Sequence, residues 1–406
     1  MNLRLAGNIQ KDRLRMHRVL IAAILMVLSW SAIAVDSGID AALARIGPLE
    51  QASDFAGIER LLQPFEESGN GEVEYYLAFA RMNLAINGKR PGELRPGDLQ
   101  SAIDMAQRAT RHGSKEAWNL LYMIYGNGWG VPIHGKEAIA YLKKGVDAGD
   151  VGAQINYAVQ LYTGSSLIDR DVDAACPLFD QLAKAEDALP LVAYYEGLIR
   201  FSGQCGKTAD RHAGVNLILI AANHGFRDAE RDIGKNYEFG WTTTTDDAQA
   251  LAWYEKAADH GDPEAQWRLG MAYVLGRLGK TQDYGKARRY FEGAAASGYA
   301  RAMTDLGSMF ASGEGMPRDF VKAKALYEQA AAAGDERAFR ELAVMHAKGE
   351  GVPVDLVAAR VFYLKGLHAG LAEEPDVRGL IESRMSPEQL NASQRRFEQE
   401  SSGMEP

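Results

Sequence analysis

The sequence contains little of what builds disulfide-rich or β-sheet proteins. Its 406 residues include only two cysteines and 13 prolines, against 42 glycines. Runs of Val, Ile and Thr, which are typical of strands, are scarce. Apolar residues make up 47% and charged residues 24% of the chain, a balance typical of a folded protein rather than a disordered one. This composition favours helices that are interrupted by glycine.

An excess of basic charge is also missing. The formal net charge is −9 at pH 7, and it becomes −13 without residues 1–34, which hold five basic residues and one acid. Such a surface repels phosphate backbones, so the charge argues against nucleic acid as a partner. No basic cluster suits an anionic lipid surface either.

Motifs for metal binding and covalent catalysis are absent from the sequence. No two histidines have H-x-x-x-H spacing and there is no C-x-x-C pair, so the usual zinc ligand patterns are missing. No S-x-x-K or G-x-S-x-G nucleophile motif occurs either. Three histidines, His112, His224 and His260, directly precede a glycine, a position where a helix C-terminus favours a cation. We therefore predict no metal, no cofactor and no catalytic residue.

The N-terminal segment has the pattern of an export signal. Five basic residues precede a run without charge over residues 19–34, and the run ends in Ser31-Ala32-Ile33-Ala34. Small residues at these positions are typical of signal-peptidase sites. We predict that residues 1–34 are a signal peptide, cleaved before Val35, and that the mature chain is periplasmic. The alternative is an uncleaved inner-membrane anchor facing the periplasm, although a spanning helix needs roughly 20 apolar residues.

Two series of glycines recur along the chain with the same period of 36 to 39 residues. The first series consists of Gly128, Gly164, Gly203, Gly240, Gly276, Gly313 and Gly349. The second consists of Gly113, Gly149, Gly225, Gly261, Gly298, Gly334 and Gly370, with one repeat lacking its member. Two independent series with one period indicate a repeat array.

Each repeat has the pattern of two packed helices. In the first helix, small residues such as Ala265 and Gly270 share a face, and in the second a small residue is followed by a ring, as in Ala287 and Phe291. Prolines just after the loop glycine are expected to start the second helix, because a helix start tolerates a missing N–H. These prolines are Pro132, Pro317 and Pro353. One pair cannot bury its own apolar face, so neighbouring pairs are expected to stack into a solenoid.

Several segments resemble Sel1-like repeats, a family related to the tetratricopeptide repeat. They include AQWRLGMAY at 265–273, GEGMPRD at 313–319 and KALYEQAAAAG at 324–334. The resemblance is strong over 228–370 and clear over 116–149. It implies an all-α fold, a right-handed superhelical α/α solenoid of about nine helix pairs.

The expected organisation has four parts. Residues 1–34 are the signal peptide, 35–113 are divergent N-terminal helical repeats, 114–371 are the Sel1-like solenoid, and 372–406 are C-terminal capping helices and tail. Within the second part we expect two helix pairs, at 36–67 and 72–113. Two short helices that divide near Ser386-Pro387 are expected to cap the C-terminal end.

The resemblance implies a non-catalytic scaffold for protein–protein interaction, here of the periplasm or cell envelope and acting as a monomer. Partner segments are expected on the concave face, lined by the first helix of each pair. Each candidate contact residue could instead belong to the core between repeats, and the two loop tryptophans could pack on a neighbouring repeat. The candidates are Tyr75, Phe79, Met123, Tyr194, Trp267, Met271, Trp129 and Trp241.

A second hypothesis is an enzyme of envelope polysaccharide turnover or a penicillin-interacting hydrolase. Some cysteine-rich Sel1-repeat proteins are described as binding penicillin-like compounds. This chain has neither that cysteine pattern nor a serine nucleophile motif, so the hypothesis would require a carboxylate pair in a cleft.

The two cysteines are expected to form a disulfide outside the cytoplasm. Cys176 follows the loop glycine of one repeat and Cys205 that of the next. Equivalent segments of stacked repeats lie about 10 Å apart, whereas bridged Cα atoms need roughly 4.4–6.8 Å. Closure therefore requires the loop of Cys205 to lean back on the preceding repeat. Two buried free thiols are the alternative.

Overall fold

The computed structural model describes residues 37–89, 93–184 and 189–401. The predicted signal peptide and its cleavage point before Val35 lie outside these residues. The described residues form helices joined by loops, with no strand among them. None of these helices is long and apolar enough to cross a membrane. They form two compact units that divide between Ala221 and Ala222.

Within its described residues, the first unit contains three short helices, a 3₁₀ turn at Gln63–Phe65 and then longer helices packed as consecutive pairs. In each pair we call the earlier member the first helix and the later one the second helix. The helices are α1 Ser37–Leu43, α2 Ile46–Gln51, α3 Phe55–Leu62, α4 Gly71–Ile86, α5 Gln100–Arg111, α6 Glu116–Asn127, α7 Gly135–Asp147, α8 Val151–Thr163, α9 Val172–Leu182, α10 Pro190–Ser202 and α11 Arg211–Asn223, which ends just past the division.

The described part of the second unit contains four regular pairs and two terminal helices. They are α12 Arg227–Phe239, α13 Asp247–Asp259, α14 Pro263–Leu275, α15 Tyr284–Ala296, α16 Ala300–Ser312, α17 Phe320–Ala332, α18 Glu336–Lys348, α19 Leu356–His368, α20 Pro375–Glu382 and α21 Pro387–Ser401. The even-numbered helices from α12 to α18 are first helices. Helix α21 packs on α19. The two terminal helices divide between Glu382 and Pro387, near the predicted division, but α21 is longer than predicted, with 15 residues.

The pair predicted at 36–67 is wrong, whereas the pair at 72–113 is confirmed as α4 and α5. Residues 37–62 form three short helices instead. The chain breaks at Ser53, whose φ is +54°, and the side chain of Asp54 starts α3 by accepting a hydrogen bond from the backbone N of Gly57 at 2.8 Å. A left-handed residue followed by an N-cap ends one helix and begins another.

The prolines after the loop glycines do not start the second helices. Helices α17 and α19 begin three residues after Pro317 and Pro353. Their N-caps are Asp319 and Asp355, whose side chains accept hydrogen bonds from backbone nitrogens three residues ahead, at 3.0 and 2.9 Å. Aspartate satisfies an otherwise unpaired N–H group, which proline cannot do.

In three repeats of the second unit, the ring of the second helix packs directly on a glycine of the first helix. A Cβ atom added to Gly270 would lie 2.5 Å from the ring of Phe291. Added to Gly234 or Gly307, it would lie 2.6 or 2.7 Å from the ring of Tyr254 or Tyr327. All three rings are at most 1% exposed. Glycine is therefore required here by the close approach of the two helices.

Gly307→Ala is expected to lower the free energy of unfolding by about 1–3 kcal/mol, because the added methyl group overpacks against the ring of Tyr327. Gly379→Ala is the matched control: this helical glycine has no atom within 4 Å of an added Cβ, and alanine stabilises a helix by up to about 1 kcal/mol. Urea denaturation of both variants measures the difference. Equal stabilities would contradict the packing argument.

The stack of His346 on Phe362 should make stability depend on pH. The rings of these residues of α18 and α19 are 5.3 Å apart, and the buried Nδ1 atom has no hydrogen-bond partner. Burial lowers the pKa of His346, although Asp355 opposes the shift. A lowered pKa means that the unfolded chain binds the proton more readily, so this contribution to stability is lost as pH falls below about 6.5.

The variant His346→Phe keeps the ring stack and cannot be protonated. It should therefore gain stability relative to the wild type as pH falls from 7.5 to 5. Thermal unfolding of both proteins across this range measures the gain, and a difference in melting temperature that does not change with pH would refute it.

Candidate functional site

Consecutive first helices of the second unit are joined by hydrogen bonds between polar and aromatic side chains. Trp267 on α14 donates its Nε1–H to Asp305 Oδ2 on α16 at 2.6 Å. Arg337 on α18 donates to the other oxygen of Asp305 at 3.2 Å. Thr304 on α16 donates to Asp335, the N-cap of α18, at 2.6 Å. Thr304 and Asp335 are themselves buried. We therefore use the name first-helix surface for the partly exposed side chains along α12, α14, α16 and α18 that border these hydrogen bonds.

An ionic cluster lies at the α12–α14 end of the first-helix surface. Arg231 contacts Asp228 at 2.7 Å and Asp262 at 2.9 Å. Lys235 contacts Glu264 at 2.9 Å, and the same carboxylate accepts from Arg268. The side chains of the three bases are only 15–17% exposed. Each base is therefore held in place by carboxylates on its own and neighbouring helices.

Burial and neighbouring charges shift the pKa values of Asp262, the N-cap of α14, and Glu264 of α14 in opposite directions. Burial raises the pKa of Asp262 to about 6, although Arg231 opposes the shift. Burial also acts on Glu264, but Lys235 and Arg231 outweigh it and hold the pKa of Glu264 below its ordinary value. At neutral pH the cluster is therefore a set of opposite charges in partly desolvated contact.

Four of the eight predicted contact residues are core residues and not surface residues. Tyr75, Phe79, Tyr194 and Trp129 are only 5%, 8%, 6% and 5% exposed. Trp129 belongs to the same apolar cluster as Leu99, so it packs back on the segment that precedes α5. Side chains buried to this degree offer almost no area to a partner, and the contact role predicted for them is replaced by a core role.

The other four predicted residues keep some exposure. Trp267 and Met271 on α14 are half-buried against an apolar cluster, and Met123 on α6 is half-buried between two clusters. Trp241 is 37% exposed and stacks on the ring of Phe239 with centroids 6.0 Å apart. Among these four, Trp267 takes part in the hydrogen bonds along the first-helix surface, and Met271 follows it one helical turn later on α14.

Two histidines at repeat ends have partners that the sequence analysis missed. His112 lies 2.7 Å from Glu74, and His260 lies 2.7 Å from Glu230, in each case from Nδ1 to Oε2. Both glutamates are buried and stand at equivalent positions of α4 and α12. These contacts could have been predicted, because the two repeats that end in His112-Gly113 and His260-Gly261 both carry a glutamate as the fourth residue of their first helix.

No metal centre is apparent in the described part of the chain. Within residues 37–89, 93–184 and 189–401, no group of three or more His, Cys, Asp and Glu side chains could hold a metal ion. Cys176 on α9 and Cys205 in the loop after α10 are joined in a disulfide, with Cα atoms 5.7 Å apart.

Comparison with known proteins identifies the repeat. The Sel1 repeat model matches five segments, at residues 123–150, 227–262, 263–299, 300–335 and 340–371. The structure of c5321, a protective antigen of uropathogenic Escherichia coli with an SLR fold, has a TM-score of 0.60 and 22% identity, covering 89% of this chain and 79% of that one. This similarity shows the fold.

Two curated relatives share part of the sequence. Chitin synthase regulatory factor 2 of Schizosaccharomyces pombe is 28% identical over 156 residues, which are 37% of this chain and 30% of the relative. Protein sel-1 homolog 2 of Homo sapiens is 25% identical over 244 residues, 58% of this chain and 31% of the relative. The chain thus spans less than a third of either relative's length. The five matched segments show that the chain contains Sel1 repeats, and the structure packs their helices in consecutive pairs.

Proposed function

We propose that this protein is a non-catalytic scaffold of the bacterial periplasm or cell envelope, which binds partner protein segments on its first-helix surface. Sel1 repeats are generally modules for protein–protein interaction. The observation that carries the proposal is the row of side chains joined across α12, α14, α16 and α18. No nucleic acid and no cofactor has a part in it.

The first-helix surface has the properties of a prepared binding surface. Arg231, Arg268 and Arg337 are held by carboxylates before any partner arrives, so binding would order few further side chains. Trp267 contributes a half-buried ring with its indole N–H already bonded to Asp305. Tryptophan and arginine are the residues that most often dominate binding energy at protein interfaces.

The proposed contact residues differ between the two units. In the second unit we propose Trp267 and Met271, together with the ionic cluster around Arg231. Met123 in the first unit and Trp241 in the second remain candidates, because each keeps exposed area.

Capture by the mature protein tests the proposed surface. Met271→Glu places a charge on the first-helix surface, whereas Val321→Glu places the same charge on second helix α17, where Val321 is 74% exposed. We expect partners identified by mass spectrometry to bind the wild type and the Val321 variant but not the Met271 variant. Equal melting temperatures of the two variants serve as the folding control. Equal capture by both would refute the surface.

We propose that the protein is exported, because residues 1–34 have the pattern of a signal peptide. Cell fractionation followed by N-terminal sequencing should find a chain that begins at Val35 in the soluble periplasmic fraction. Recovery from membranes with the N-terminus intact would support the anchored alternative, in which the repeats face the periplasm from the inner membrane.

A further inference from the structure

The second residue after the loop glycine has a left-handed backbone in five repeats. At this position the φ angles of Gly130, Cys205, Leu278, Gly315 and Gly351 lie between +52° and +72°. Glycine adopts this conformation at low energy, whereas other residues do so with strain. Cys205 and Leu278 therefore need a compensating contact.

The same position touches the second helix of the preceding repeat. A Cβ atom added to Gly315 would lie 2.5 Å from the Cβ atom of Tyr284, the first residue of α15. Gly351 stands equally close to Phe320, the first residue of α17. This lean of the loop onto the preceding repeat explains how cysteines of neighbouring repeats reach bonding distance.

The two non-glycine residues compensate for the strained backbone in different ways. Leu278 is 5% exposed and belongs to an apolar cluster with Ala250 and Tyr254 of α13, in the preceding repeat. Cys205 is half-buried and is bonded to Cys176 of α9. Cys205 also packs against the apolar cluster that contains Phe179 of α9. A cysteine side chain buries less area than leucine does, so this loop relies on its covalent bond more than the loop of Leu278 does.

One ionic contact crosses the same boundary between repeats. Lys207, in the loop of Cys205, lies 2.7 Å from Asp180 of α9. Asp180 is 47% exposed, and ion pairs with an exposed partner contribute little to stability. This contact therefore cannot hold the loop as the disulfide does.

We propose that the Cys176–Cys205 bond is a redox-sensitive latch, which holds the loop 203–210 on α9 and releases this loop from α9 when the bond is reduced. The reductant is a dithiol, either a small molecule or a protein. The S–S bond breaks, the two sulfurs take up two electrons and two protons, and the dithiol becomes a disulfide. Cys205 is partly exposed, so a dithiol can approach it.

Hydrogen–deuterium exchange of the whole chain, with and without dithiothreitol, tests the latch. We expect reduction to lower amide protection in loop 203–210 and the start of α9 by about tenfold or more, which is a local opening. The loop 276–283 is the internal control, because Leu278 holds it by packing. Unchanged protection at 203–210, or an equal loss in both loops, would overturn the proposal.

Two variants distinguish the effect of the disulfide bond from that of the strained backbone at Cys205. Cys176→Ser should exchange like the reduced wild type and should not respond to dithiothreitol. Adding Cys205→Gly introduces the residue that the equivalent positions Gly315 and Gly351 carry. It should recover part of the amide protection of loop 203–210 without any disulfide. A double variant as unprotected as the single one would show that backbone strain has no part in the release.

Discussion

Phe291→Ala is expected to lower the free energy of unfolding of the second unit by about 3–5 kcal/mol. The ring is 1% exposed and fills the space between α15 and Gly270 of α14, and its cluster extends to Leu306 and Met309 of α16. Removing it leaves a cavity in the contact between two repeats. Since each repeat is stabilised mainly by its neighbours, the loss should spread to adjacent pairs.

The matched control for this substitution is Phe239→Ala, which removes the same ring from a site that is 49% exposed. A change below about 1 kcal/mol is expected there, because little buried area is lost. Guanidinium denaturation followed by circular dichroism compares the two variants. Equal losses of stability in the two variants would show that burial of the Phe291 ring does not stabilise the packing between repeats.

Arg231→Met is expected to destabilise the protein by about 3–5 kcal/mol, because it leaves a buried carboxylate without its charge partner. Asp262 is 1% exposed, and the guanidinium of Arg231 lies 2.9 Å from it. The control is Arg277→Met, since Arg277 is 60% exposed and has one distant contact, to Glu238 at 3.8 Å. This control should change stability by less than about 0.5 kcal/mol.

The loss in the Arg231 variant should also depend on pH. Arg231 lowers the pKa of Asp262, which burial has raised to about 6, so removing the base raises this pKa further. The native variant then binds more protons than the unfolded chain, and its stability falls as pH rises through this range. The difference from the wild type should be large at pH 8 and smaller at pH 5. A difference that grows at low pH would contradict the argument.

The repeat architecture was readable from the sequence because its determinants are local. In the second unit, a glycine such as Gly276 or Gly313 ends each first helix with a left-handed residue. The glycine that faces each ring recurs about 20 residues before it, as Gly307 does before Tyr327. The N-terminal segment carries neither signal. Its three short helices begin and end at individual residues such as Ser53 and Asp54, which no periodicity reveals.

Burial at the candidate surface could not be read from the sequence, because it depends on segments outside each repeat. Trp129 and Trp241 both follow a loop glycine. The structure buries Trp129 in a cluster with Leu99 but leaves Trp241 37% exposed. The ionic cluster was missed for a similar reason, since Arg231 and Glu264 are 33 residues apart and meet only when repeats stack. Charges that look scattered along the chain are thus brought together across repeats.

Site-specific photocrosslinking in living cells tests the central claim most directly. A photoreactive residue at Trp267 or Met271 would report on the first-helix surface of the second unit. The same residue at Arg289 or Lys322, both exposed on second helices, is the control. The account predicts crosslinks to partner proteins from the first two positions, and few or none from the controls. Crosslinks confined to the second-helix positions would contradict it.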